Sequence, residues 1–245
     1  MRLFGHRGAM NEAPDSTLEG FRHAIALGLE AVEFDVQLTT DNELIILHDN
    51  TLDRTTNASG PVSDRTLVEL RDLDARAQFT DWPEPCVIPT LAEVLDVVGG
   101  MAELLVEIKR DTPARLEIVV PATIALLEER ELLDRVRLSS FDPIALEIAH
   151  RVAPDLDLVI NGVWREPGLY ERVIEIGVTG TDFDHKLVGQ EHLEWARAHD
   201  LWLIGWPGNT EADLRIHQEY GLDNMGTDAP STILPLLPGP TTQVH

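Results

Sequence analysis

Two rhythms run along the chain. Short β-like runs occur at residues 2–4, 31–36, 44–48, 103–108, 136–140, 157–160, 179–183, 201–205 and 223–226. Stretches whose apolar residues recur at helical spacing separate most of them. Ser16-Thr17-Leu18-Glu19 reads as a capping box with Leu18, Phe21 and Ile25 on one face. Thr90-Leu91-Ala92-Glu93 reads as a second, with Leu91, Val94, Leu95 and Val98 behind it. Asp142-Pro143 has the form of an N-cap followed by proline at the first helical position, and Gly177 and Gly221 stand where helices should stop. From Val136 onward the unit recurs about every 22 residues, which suits one strand, one short helix and two tight loops. Strands alternating with helices predict a parallel sheet.

Nine strands are one too many for an eight-stranded barrel. The segment 44–48 is the odd one, because only Gln37 to Glu43 separate it from the strand before, and a parallel crossover needs about a dozen residues or more. Thr39-Thr40-Asp41-Asn42 is turn chemistry. The two segments should therefore form an antiparallel hairpin on the rim of a (β/α)8 TIM barrel. The expected organisation is one domain over residues 1–245. It carries a small insertion at about 49–89, with a short helix near 66–73, and a loosely held tail at about 235–245.

Composition adds exclusions. A chain of 245 residues suits one α/β barrel, which routinely spans ~200–250. With 43% apolar and 25% charged residues it is an ordinary globular sequence, not a disordered one. The lone Cys86 excludes a disulfide framework and a cysteine-based zinc site. No apolar run approaches the ~18 residues that span a bilayer, and Met1 to Gly5 lack the apolar core of a signal peptide. The expectation is a soluble, cytoplasmic protein without stable membrane anchoring. Nineteen basic residues against 43 acidic ones give a formal net charge of −24, a surface that repels nucleic acid. An anionic substrate would need a site that locally reverses this field.

The chemistry-bearing residues gather at strand C-terminal ends, the rim on which such barrels build active sites. His6 and Arg7 follow the first strand. Glu33 and Asp35 lie two apart on the second and so share a face; Glu107 and Lys109 repeat that spacing. The hairpin climbs about four residues past Asp35 and descends about five to His48, returning it to the level of Asp35. Taken singly, each has an ordinary reading: a salt-bridge pair, a turn histidine, a solvated strand end. Their joint placement is what points to a site. Three convergent carboxylates repel one another and invite a hard divalent cation, magnesium or calcium rather than zinc. Beside them, Arg7 and Lys109 would neutralise phosphate oxygens, and His6 and His48 would serve as general base and general acid, in either order.

The chain also resembles a known family. Gly5-His6-Arg7-Gly8, Ala13-Pro14-Asp15-Ser16-Thr17, Glu33-Phe34-Asp35-Val36, His48-Asp49, Arg54-Thr55-Thr56 and Glu107-Ile108-Lys109 resemble successive blocks of the glycerophosphodiester phosphodiesterases. Ser139-Ser140-Phe141, Trp206 with Asn209, and Thr227-Asp228-Ala229-Pro230 continue the match. The resemblance implies a TIM-barrel hydrolase of lipid metabolism that uses one divalent metal (magnesium, calcium or manganese). Such an enzyme cleaves small-molecule glycerophosphodiesters to an alcohol and sn-glycerol 3-phosphate. It implies Glu33, Asp35 and Glu107 as metal ligands, His6 and His48 as the acid–base pair, Arg7 and Lys109 as phosphate contacts, and Phe141 and Trp206 as pocket wall. The family usually has Glu-Asn-Thr where this chain has Asp15-Ser16-Thr17. It has Trp-Thr-Val-Asn for Trp206-Pro207-Gly208-Asn209, and a larger apolar residue for Gly226. Asp15 then reads as the start of a helix, with Glu12 available to compensate for its shorter reach. A lysophospholipase D or sphingomyelinase D type would favour a long apolar groove over the mouth, and the insertion is not markedly apolar. An inactive phosphodiester-binding barrel would have lost a histidine or a carboxylate, and all are present.

Overall fold

The structure is a computed structural model that describes residues 1–162 and 168–237. Its strands are β1 (Arg2–His6), β2 (Ala31–Leu38), β3 (Leu44–Ile46), β4 (Glu103–Ile108), β5 (Val136–Ser140), β6 (Asp157–Asn161), β7 (Gly180–Asp184), β8 (Trp202–Trp206) and β9 (Asn224–Thr227). Its helices are α1 (Leu18–Ala26), α2 (Leu67–Arg71), α3 (Leu91–Val98), α4 (Pro113–Glu129), α5 (Pro143–Val152), α6 (Leu169–Ile176), α7 (Gln190–Ala198), α8 (Glu211–Glu219) and α9 (Pro230–Ile233). Every strand except β3 pairs in parallel, and β1 pairs with both β9 and β2, so eight strands close into a TIM barrel. β3 runs antiparallel to β2, with Val36 opposite Ile46 and Leu38 opposite Leu44. The short connection does make a hairpin, and the Leu47 amide still reaches the Asp35 carbonyl at 3.1 Å.

The period of two in a strand explains how the barrel interior is layered. At the N-terminal end, Glu103 accepts from both Arg2 and Arg137, and Arg137 also reaches Asp157, which closes the floor with ion pairs. One step up, Phe4, Ala31, Leu105, Val159 and Ile204 form a buried apolar plug. Two residues further along the same strands come His6, Glu33, Glu107, Asn161 and Trp206, around the mouth. A larger core lies between strands and helices, for example where Phe21 of α1 meets Phe34 edge-on. A separate cluster of Ile45, Leu47, Leu52, Val62, Leu70, Ala75, Cys86 and Ile88 holds the insertion.

The helix signals hold with one shift. Thr90 and Glu93 make the expected box on α3, and Asp142 caps α5. At α1, however, Thr17 is the N-cap and Glu19 turns instead to Arg22. Ser16 sits at φ 58°, in the left-handed region, and cannot supply the extended geometry an N-cap needs. The expected helix in the insertion is α2, closed by a box between Thr66 and Glu69. Of the expected tail, Pro235 lies in a 3-10 turn (Leu234–Leu236), and residues 238–245 fall outside the described residues. Among the described residues no helix is long and apolar enough to cross a membrane.

Candidate active site

The turn after β1 is built around backbone closeness. A Cβ on Gly5 would lie 2.1 Å from the Gly8 carbonyl oxygen, so the chain can fold back sharply. The fold-back holds Arg7 at φ 51°, unusual for a residue with a side chain, and its amide donates to the Glu33 carbonyl at 3.0 Å. This lays Arg7 over the end of β2.

A cleft open to solvent occupies the C-terminal mouth. His6, Arg7, Glu33, His48, Glu107, Phe141 and Trp206 all line it. Asp35 and Lys109 stand directly behind. Lys109 Nζ lies 2.7 Å from Glu107 and 3.2 Å from Asp35, and Arg7 Nε lies 3.6 Å from Asp35. The structure thus brings together all nine residues singled out from the sequence. It places the two cations differently from the simple expectation of free phosphate ligands, because both are engaged by carboxylates.

Glu33, Asp35 and Glu107 are buried, and each offers an oxygen within 4.8 Å of the others'. Burial, followed by the charges of Asp35 and Glu107, drives the Glu33 carboxyl well above its ordinary range. Burial and then the Asp35 charge push Glu107 up to about 7. Burial opposes ionisation of Asp35 too, but Lys109 and Arg7 outweigh it and hold the group well below its usual range. Crowded carboxylates that resist ionisation are what a hard divalent cation would relieve, so this all-oxygen donor set fits magnesium, calcium or manganese.

Each histidine has its own carboxylate. His6 Nδ1 lies 2.5 Å from Asp228, and His48 Nδ1 lies 2.6 Å from Asp49. An ionised carboxylate only accepts, so Nδ1 carries the hydrogen and Nε2 keeps a lone pair for proton transfer. Burial lowers the His48 pKa, which favours its neutral form. Outer contacts fix both carboxylates. Arg54 donates to Asp49 at 2.7 and 3.0 Å, and Asn209 Nδ2 donates to Asp228 at 2.6 Å. Arg54 also reaches Asp15 at 2.7 Å, and Asp15 lies 3.6 Å from Arg7. Asp15 is therefore not a helix-start residue but a buried link between Arg7 and the His48 dyad. Glu12 does not substitute for it, since it bonds His23 and Ser231.

Asn161 and Asp182 also line the cleft, and the sequence reading did not single them out. Asn161 left a signal, as the polar residue that ends β6 after Leu158, Val159 and Ile160, whereas Asp182 lies in the middle of β7. Asn161 donates to Glu107 at 3.0 Å. Gly226 lies under Trp206, where a Cβ would sit 3.3 Å from the Trp206 Cβ.

The model of the glycerophosphoryl diester phosphodiesterase family matches residues 6–232. A glycerophosphodiester phosphodiesterase of Caldanaerobacter subterraneus subsp. tengcongensis is 31% identical over 96% of this chain and 97% of its own. One from Bacillus subtilis is 32% identical over 92% of this chain and 82% of its own. Among solved structures, an Oleispira antarctica phosphodiesterase in complex with the product sn-glycerol-3-phosphate superposes with a TM-score of 0.88. It is 26% identical and covers 96% of each chain.

Proposed function

The chain belongs to the glycerophosphoryl diester phosphodiesterase family and is a phosphoric diester hydrolase, and from that premise we propose how its residues divide the work. The substrate is a glycerophosphodiester, cleaved to an alcohol and sn-glycerol 3-phosphate, the product bound by the Oleispira relative. Glu33, Asp35 and Glu107 would hold one divalent cation, magnesium, calcium or manganese. When bound, the cation supplies charge withdrawal from the phosphoryl oxygens and offsets the carboxylates.

Arg7 and Lys109, beside those carboxylates, would face the phosphoryl group and the charge that develops on it. One histidine takes the proton of the attacking oxygen at Nε2, and the other gives a proton to the departing alcohol. Asp49 and Asp228 hold the rings in the tautomer this exchange needs and stabilise each imidazolium in turn. Phe141 and Trp206 wall the cleft and limit water around the reacting bonds.

The observation that carries this reading is the pair of carboxylate-held histidines lining one cleft with the three buried carboxylates. The test is incubation of the purified protein with a panel of glycerophosphodiesters and lysophospholipids, with magnesium, calcium or manganese and with a chelator. Release of sn-glycerol 3-phosphate is assayed. Cation-dependent release from glycerophosphodiesters is expected. Full activity in excess chelator would reject the metal assignment, and turnover of lysophospholipids alone would reject the substrate class.

A further inference from the structure

The three clustered carboxylates, the two cations beside them and the two histidines stand at β1, β2 and β4 and on the hairpin. The opposite wall, made by β6, β7 and β8, also carries polar side chains. Asp182 lies on β7 with only 6% of its surface exposed, and its Oδ1 is buried without a hydrogen-bond partner while the residue lines the cleft. The Trp206 side chain and the Phe183 amide lie close enough to the carboxyl group to favour its charged form, against the larger effect of burial. Asn161 is its register neighbour on β6 and is itself fixed by Glu107. Leu105 and Ile204 close the cleft beneath. An unmatched buried oxygen beside an apolar floor is costly unless something enters to bond it.

We propose that Asp182, with Asn161 beside it, is a specificity-determining residue that hydrogen-bonds the terminal hydroxyl of the substrate's glycerol moiety, the one farthest from phosphorus. This rests on the glycerophosphodiester reading given above and deepens it. Three considerations fix which end of the substrate lies here. The alcohol departs during the reaction and needs the open side of the cleft. The glycerol end stays attached to phosphate, so a closed wall can hold it throughout. That end is also a small polyol, whose hydroxyls can both donate and accept, whereas an apolar chain at this wall would leave the Asp182 oxygen unbonded.

The state of the carboxyl group fits the role. Burial first, and then the Glu107 charge, push Asp182 above the ordinary carboxylic acid range, toward its neutral form. A neutral carboxyl both donates and accepts, and it adds no negative charge beside a phosphate.

Binding of sn-glycerol 3-phosphate is compared by calorimetry, with magnesium present, against 1,2-propanediol 1-phosphate of the same configuration, which lacks only that hydroxyl. The wild type should prefer the glycerol compound by at least about 10-fold. Asp182→Leu should weaken glycerol phosphate binding by a similar factor, leave the propanediol compound unchanged and so erase the preference. Asp182→Asn, which keeps a donor and an acceptor, should restore the preference to within about 3-fold. If the leucine variant does not fold, Asp182→Ser, too short to reach, makes the same comparison. Equal weakening of both compounds, or a preference that survives loss of the carboxyl group, overturns the assignment. Equal binding of both by the wild type overturns it alone, whereas binding of neither overturns the functional reading as well.

Discussion

Replacing Asp228 by Asn probes the site through one hydrogen. The Asn209 side-chain oxygen is committed to the Asp228 amide at 2.8 Å, so its NH2 must face Asp228 Oδ2, at 2.6 Å. In Asp228→Asn the new carbonyl oxygen has to take that position and accept from Asn209. The new NH2 then faces His6 Nδ1. A donor there forces the ring to accept at Nδ1 and carry its hydrogen on Nε2. As a base, His6 loses its lone pair; as an acid, it loses the carboxylate that makes the imidazolium accessible. Losing the charge-assisted bond alone is worth ~1.5–3 kcal/mol, or roughly 10- to 100-fold in kcat, which is the expectation for Asp228→Ala. The locked tautomer should take Asp228→Asn to roughly 10³- to 10⁴-fold, the scale seen when a histidine is held in the wrong tautomer. KM should stay within about 3-fold. Steady-state kinetics across pH, with thermal melts to check folding, decide the matter. Because His48 still titrates, residual activity that falls toward alkaline pH leaves His48 as the acid and marks His6 as the base, and residual activity that falls toward acid pH marks His6 as the acid. If the Asn variant is as active as the Ala variant, the tautomer reasoning is wrong.

Three further outcomes are expected. Because the Glu107 carboxyl is pushed up to about 7, that group holds a proton in the cation-free folded protein between about 4.5 and 7, where the unfolded chain has lost it. Relative to Glu107→Gln, the cation-free wild type should therefore gain stability as pH falls from 7 to 5, while its cation affinity falls over the same window; melts with chelator and with magnesium measure both, and Glu33→Gln should weaken the cation without unfolding the barrel. Arg54→Gln removes the partner that helps hold Asp49 at about 2 and leaves the buried Asp15 facing Arg7 alone. A kcat loss of roughly 10-fold, on the scale of a lost charged hydrogen bond, should accompany a lower Tm, and an unchanged kcat would show that Arg54 does not act through His48. Thr90→Ala removes the side-chain half of the α3 box and leaves the Thr90 backbone bridge to Ile45 in place. It should cost about 0.5–2 kcal/mol, seen as a Tm lower by a few degrees, with kcat per folded molecule unaltered.

The parts of this site that could be read in advance are those whose geometry is local. Glu33 and Asp35 share a face because strands have a period of two, and His48 returns to their level because seven residues cannot make a crossover. Asp228 and Asp15 could be quoted in a motif, but their roles depend on His6, 222 residues away, and on Arg54, 39 away. Asn161 and Asp182 hid for a different reason. Each sits in a run that looks like an ordinary strand, and only closure of the barrel shows that these two paired positions face a cleft. The α1 cap was misplaced by one residue because the turn after Pro14 puts Ser16 in the left-handed region, a constraint set by the packing of the loop rather than by its composition.

Alternation along β3 has a further consequence. Ile46 packs into the barrel's outer core, while Ile45 and Leu47 on either side pack into the insertion's own cluster. The His48 dyad is thus held by a small cooperative unit, and His6 by the large one. Among the described residues the links between them include the β2–β3 ladder, the Gln37 side chain on the Leu47 and Asp49 carbonyls, the bridge from Ile45 to Thr90, the Arg71–Glu93 pair, the bond from Arg54 to Asp15, and the Thr40 amide on the Arg65 carbonyl. Opening of a peripheral unit costs less free energy than global unfolding. Catalytic competence and the fold therefore have separate thresholds. A fluctuation that frays the hairpin parts the two proton carriers while all eight strands of the barrel stay closed.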